Sequence, residues 1–146
     1  MKKAVLLMVA LIGLSAASCG DNSSTVTGLL PRTLVVANGT IQVPAGSWNY
    51  YQINILGSMT NPHLSGTFTA HGGSGNDIVV LIMTDTEYTN WSNGHSVTPE
   101  YNSTQLTTSS FDVALPIGMH YLIYNNTFSP LSVKTVDAFA QLDWES

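Results

Sequence analysis

The sequence predicts an all-β chain, an antiparallel β-sandwich or jelly roll of seven or eight strands. Three observations carry this. Beyond residue 33 the apolar side chains recur with period two, or in one short continuous run, the spacing of half-buried and fully buried strands. Clusters of Gly, Pro, Asn and Ser separate those segments, as turns require. No window of ten residues joins helical spacing to capping residues. The composition agrees: 44% hydrophobic and 9% charged residues exclude both a coiled coil and a disordered chain. Four Lys and Arg against nine Asp and Glu exclude a non-specific nucleic-acid binder, which needs clustered basic charge.

The elements follow in order. Residues 1–18 read as a secretory leader: Lys2 and Lys3, then an uncharged, mostly apolar run over residues 4–14, then Ser15, Ala16, Ala17 and Ser18. The run is too short to cross a bilayer, which takes about 20 apolar residues. Cys19 follows as the only cysteine, so it has no internal disulfide partner. With Ala16-Ala17-Ser18-Cys19 this segment resembles a bacterial lipoprotein signal, in which the cysteine is lipidated and becomes the new N-terminus. Ala16 stands where that pattern usually has Leu. The resemblance implies a membrane anchor on Cys19. Asp directly after the cysteine favours inner-membrane retention in such lipoproteins. Here Gly20 follows it, so the resemblance points to the outer membrane, with a secreted or periplasmic product as the alternative. Residues 19–32 then form the lipidated end and a flexible tether, rich in Gly, Asp, Asn and Ser. Residues 33–146 form one domain.

Within that domain, Tyr51, Ile53 and Ile55 share one face of a strand, with Gln52 and Asn54 on the other. Leu64, Phe68 and Ala70 alternate with Ser65, Thr67 and Thr69, and residues 78–83 are apolar throughout, as in a strand covered on both faces. Phe111, Val113 and Leu115 form a further face, residues 121–124 another strand, and Val136, Ala138, Ala140, Leu142 and Trp144 the last. Turns are expected at Asn38-Gly39, Pro44-Ala45-Gly46, residues 72–76, Ser92-Asn93-Gly94, Pro116-Ile117-Gly118 and Asn125-Asn126.

The run Asn126-Thr127-Phe128-Ser129, followed by Ser132, Lys134 and Val136 after the strand that begins at Pro116-Ile117-Gly118, resembles the GOLD domain. That family is a β-sandwich of luminal cargo adaptors in the early secretory pathway. The resemblance implies a GOLD-like sandwich and a habit of non-catalytic protein contact. The family's paired cysteines, coiled coil and membrane span are missing here, so cargo transport does not carry over. Physically, Asn126 is placed to fix a corner between strands, Phe128 to plug the end of the core, and Ser129 and Ser132 to satisfy loop backbone groups. Lys134 is placed to pair with a nearby acid. The motif reads as architecture.

Candidate chemistry is sparse. His63 and His71 lie on one outward face about 26 Å apart at ~3.3 Å per residue, too far to share a metal ion. Asn76 and Asp77 in the Gly73-Ser74-Gly75 loop are a weak calcium candidate, since such loops more often serve as plain turns. No G-x-S-x-G elbow is present, and Asp77 lies too far along the chain from Asp85 or Glu87 for a glycosidase pair. The reading is not an enzyme and needs no cofactor. The expected function is that of an envelope lipoprotein whose sandwich binds another protein. The alternative is a carbohydrate-binding module using aromatics near strand ends, namely Trp48, Tyr50, Tyr88, Trp91 and Tyr101.

Overall fold

A computed structural model describes Val5–Leu6 and residues 28–146. Cys19, most of the leader and most of the tether lie outside the described residues. Two sheets pack face to face. One has the order β1-β3-β8-β5-β6, built from β1 (Val5–Leu6), β3 (Trp48–Ile55), β8 (Gly118–Asn125), β5 (Ile78–Thr84) and β6 (Tyr101–Leu106). The other has the order β2-β9-β4-β7, from β2 (Pro31–Val43), β9 (Lys134–Glu145), β4 (Thr60–His71) and β7 (Thr108–Ala114). All pairings are antiparallel except the two-residue parallel addition of β1 to β3. Leaving aside β1, this is an eight-stranded all-β sandwich with four strands in each sheet.

The period-two segments become strands because alternate side chains reach one shared core. Val36, Val43, Ile53, Leu64, Phe68, Ile82, Tyr124 and Leu142 are among the residues buried between the sheets. Gly66 lets β4 approach its neighbours. A β-carbon there would meet the Phe139 carbonyl oxygen and lie 2.6 Å from Phe111 Cζ. The run at residues 78–83 is covered on both faces, as expected. Ile78, Val80 and Ile82 enter the inter-sheet core, whereas Leu81 and Met83 enter a second apolar cluster on the outer face of their sheet.

That second cluster exists because of an element the periodicity did not predict. Helix α1 (Asp85–Ser92) has none of its residues fully buried. It starts on a reciprocal capping box: Glu87 N–H donates to the Thr84 hydroxyl at 3.3 Å, and Thr84 N–H donates to Glu87 Oε2 at 2.8 Å. Three further expectations change. Asn38-Gly39 is no turn. β2 runs through it, pairing Asn38 with Phe139 and Gly39 with Ala138, with a bulge between Val35 and Ala37 and Gly39 at φ 128°. The tether gives way to strand at Pro31, and Leu30 exchanges both backbone hydrogen bonds with Ser146. β6, of which only Ser103 is buried, carries no apolar alternation that would announce it.

The strand ends define two poles. Leu30, Pro31, Glu145, Thr60, Ile55 and Gly118 lie at the pole where β2 begins. The turn at residues 44–47, the Gly-rich loop at 72–77 and the loop at 126–133 form the opposite, distal pole. Gly46 N–H donates to the Ser129 carbonyl there at 2.9 Å, and Asn126 N–H to the Ser47 carbonyl at 2.8 Å.

Candidate functional site

At the distal pole the Asn-Thr-Phe-Ser run does structural work. Asn126 is fully buried, and its side-chain amide reaches the carbonyls of Pro44 at 3.1 Å and Ser132 at 2.8 Å, with Val43 at 3.3 Å. It thereby ties the loop after β8 to the turn after β2. Asn125 Oδ1 accepts from Thr127 N–H at 3.0 Å, closing the bend. Ser129 and Ser132 contribute through backbone carbonyls, as the bonds above record.

Lys134 finds an acid. Its side chain is 2% exposed, and Nζ donates to Asp77 Oδ1 at 2.7 Å and to the Gly72 carbonyl at 2.8 Å. A buried ammonium is held only where such partners replace its hydration. Phe128 does not plug the core. It is half-buried, with its ring centroid 5.8 Å from that ammonium, where the π face meets the cation. Asp77 Oδ1 is thus held by Lys134, and Asn76 Oδ1 accepts from Gly72 N–H at 2.9 Å, so each weak calcium candidate already has one oxygen engaged. Among the described residues, no three of His, Cys, Asp and Glu come together as a metal site.

Over this buried pair lies an open groove of about 370 Å³, bounded by Ser74, Gly75, Gln105, Phe128, Pro130 and Leu131. Leu131 is 94% exposed and Val133 53%. A large apolar side chain so fully in water, two residues from a second one, is the feature of this pole that no internal packing explains.

The aromatic candidates divide. Trp48, Tyr50, Tyr88 and Trp91 come together, with Tyr121, on the outer face of the β3-containing sheet. Tyr88 stacks on Tyr121 at 4.1 Å between centroids, and Trp91 meets Trp48 edge-on at 5.0 Å. Trp48 Nε1–H donates to the Tyr88 hydroxyl at 3.3 Å, and the Tyr121 hydroxyl donates to Asp85 at 3.0 Å. Burial pushes the phenols of Tyr88 and Tyr121 up. These rings seat α1, and Trp48 itself is buried. At their margin Trp91 joins Ser92, Gly94, His95 and Thr127 around a pocket of about 220 Å³. Tyr101 stands apart, packed against Phe111 at 5.5 Å on the inter-sheet core.

Sequence reasoning passed over His120. It is 1% exposed, its Nε2–H donates to the Pro116 carbonyl at 2.8 Å, and Nδ1 is hydrogen-bonded to Glu100 Oε2 at 2.8 Å. The pair fastens the loop before β6 to the start of β8. His63 and His71 lie on the outer face of the β4-containing sheet, paired with Asp112 at 3.0 Å and Asp137 at 3.3 Å. Comparison with known protein families and with curated proteins finds no match to the chain.

Proposed function

We propose that this chain is a bacterial envelope lipoprotein, held in the outer membrane by lipid on Cys19. Its GOLD-like sandwich is then a non-catalytic module that binds another protein. The observation that carries the reading is Leu131, 94% exposed beside the distal groove. It lies at the pole opposite Leu30 and Pro31, where the tether joins the sandwich. β2 has 13 residues, so at ~3.3 Å per residue the tip stands about 40 Å from the tether pole. An anchored module would present that tip away from the lipid. Two variants test the reading. Cys19→Ser should move the protein from the membrane to the soluble fraction. Leu131→Asp should leave the melting temperature unchanged and abolish recovery of a stoichiometric partner from envelope extract. Equal recovery with both tips overturns the assignment of the binding surface.

The second reading, glycan binding, is favoured by the pocket at Trp91 and His95. Because Trp91 also seats α1, His95→Ala is the cleaner probe. It should abolish binding on a glycan array without altering the melting curve.

A further inference from the structure

The sandwich has four edge strands, and three of them carry devices that block further pairing. β2 has a bulge after Val35 and positive φ at Gly39. β6 has a register shift against β5 and Thr104 at φ 59°. β7 carries the charge of Asp112. β3 has none. It pairs with β8 without interruption from Trp48 opposite Asn125 to Ile55 opposite Gly118, and its eight residues include no Lys, Arg, Asp, Glu, Pro or Gly. A regular, uncharged edge of this length is a template for another strand.

The edge also has an occupant. Val5–Leu6 lie on it in parallel, opposite Asn49 and Tyr50, covering two of its eight positions. We propose that β3 is a strand-addition site, and that in the chain lacking residues 1–18 it takes an extended, uncharged segment of another protein, laid parallel to Trp48–Ile55. The proposal rests on the reading of residues 1–18 as a leader that is removed. The surface sets the partner's pattern. Tyr51, Ile53 and Ile55 face the core, whereas Gln52 and Asn54 are exposed. Alternate partner residues must therefore be apolar, to extend the core edge, whereas those between them meet the outer face and are free to be polar or apolar. A second copy of the chain would instead meet β3 antiparallel across a two-fold axis. The parallel seating of β1 favours an unrelated segment.

Among the described residues, both apolar clusters are built from residues 34–144, and a chain beginning at Cys19 keeps all of these. The probe is a fluorescent peptide with the sequence of residues 4–9 and a solubilising tag, titrated by anisotropy. It should bind the chain beginning at Cys19 saturably, and the full 146-residue chain at least tenfold more weakly. Backbone N-methylation of the peptide should abolish binding, as should the double change Gln52→Lys with Asn54→Lys. In the unaltered protein the peptide should slow amide exchange within residues 48–55, which keeps the test valid if the double variant misfolds. Equal binding of the methylated peptide, equal binding to both chain lengths, or no change in exchange overturns the proposal. So does a dimer that the double variant converts to monomer. The mass of the chain recovered from envelopes tests removal of the leader separately.

Discussion

Replacing Asp77 by alanine would strip the Lys134 ammonium of its counter-ion while leaving it 2% exposed. What remains is the Gly72 carbonyl at 2.8 Å and the Phe128 face at 5.8 Å. Removing one partner of a buried ion pair costs about 3–5 kcal/mol. Asp77 is 23% exposed, so water already reaches the outer side of the pair, and the expected loss is at the low end, about 3 kcal/mol. In a sandwich of this size that lowers the melting temperature by roughly 10–15 °C. Lys134→Met is gentler, because it keeps the apolar volume and leaves a carboxylate that water can solvate, with an expected loss of about 1–2 kcal/mol. The double variant should lie closer to wild type than Asp77→Ala alone, since it buries no unpaired charge. Urea unfolding of all four proteins completes the cycle. A loss below about 1 kcal/mol for Asp77→Ala, or a larger loss for Lys134→Met, would refute the argument that the desolvated ammonium dominates this pole. Since Lys134 already balances Asp77, a chelator should leave the melting temperature of the unaltered protein unchanged.

Further predictions rest on three single positions. The Tyr124 hydroxyl is buried with no protein partner, so Tyr124→Phe should raise stability by about 1 kcal/mol in urea unfolding. Burial holds the Tyr124 phenol above its ordinary range, and Tyr51 likewise. Unfolded tyrosines therefore ionise first as pH rises past about 10, stability falls above that point, and Tyr124→Phe should make the fall shallower in melts across that range. Gly66→Ala drives a methyl group onto Phe111 Cζ at 2.6 Å and onto the Phe139 carbonyl. A loss of about 3 kcal/mol is expected by circular dichroism melts, because strands on both sides prevent relaxation. Trp91→Ala removes the edge-on partner of Trp48 and should cost about 2–3 kcal/mol for a half-buried ring, with a red shift of Trp48 fluorescence as α1 loosens.

What the sequence made legible is what repeats along a strand. Ile53, Phe68 and Leu142 could be placed inward because a period of two leaves only one face for them, and the inter-sheet core contains all three. The pairing of Lys134 was legible too, since it is one of only two Lys and Arg residues beyond residue 18, and the acid it meets is Asp77. α1 was not. Its eight residues offer only Tyr88 and Trp91 at helical spacing and none is fully buried, so the local signals were that pair and Thr84 three residues before Glu87. β6 was hidden for a related reason: its strand state comes from pairing with β5 and from Ser103 donating its hydroxyl to Thr104 and accepting from Val80 N–H at 2.8 Å. At Asn38-Gly39 local turn preference lost to the ladder, because continuing β2 keeps Ile41 and Val43 in the core.

The edge at β3 follows from the same composition that made the strands legible. Natural sheets guard their edges most simply with lysine or an inward charge. With four Lys and Arg in the whole chain, two of them at Lys2 and Lys3, that device is scarce here. The remaining cations are spent at the poles, Arg32 donating to the Ser146 hydroxyl at 3.1 Å and Lys134 beneath the distal groove. β2 and β6 are guarded instead by backbone irregularity, with Gly39 at positive φ in one and Thr104 held there in the other. Such irregularity in β3 would carry Tyr51, Ile53 and Ile55 out of the inter-sheet core and Trp48 out of the outer cluster. The edge strand most committed to the interior is therefore the one whose outer rim stays regular, and regularity is the condition for accepting another strand.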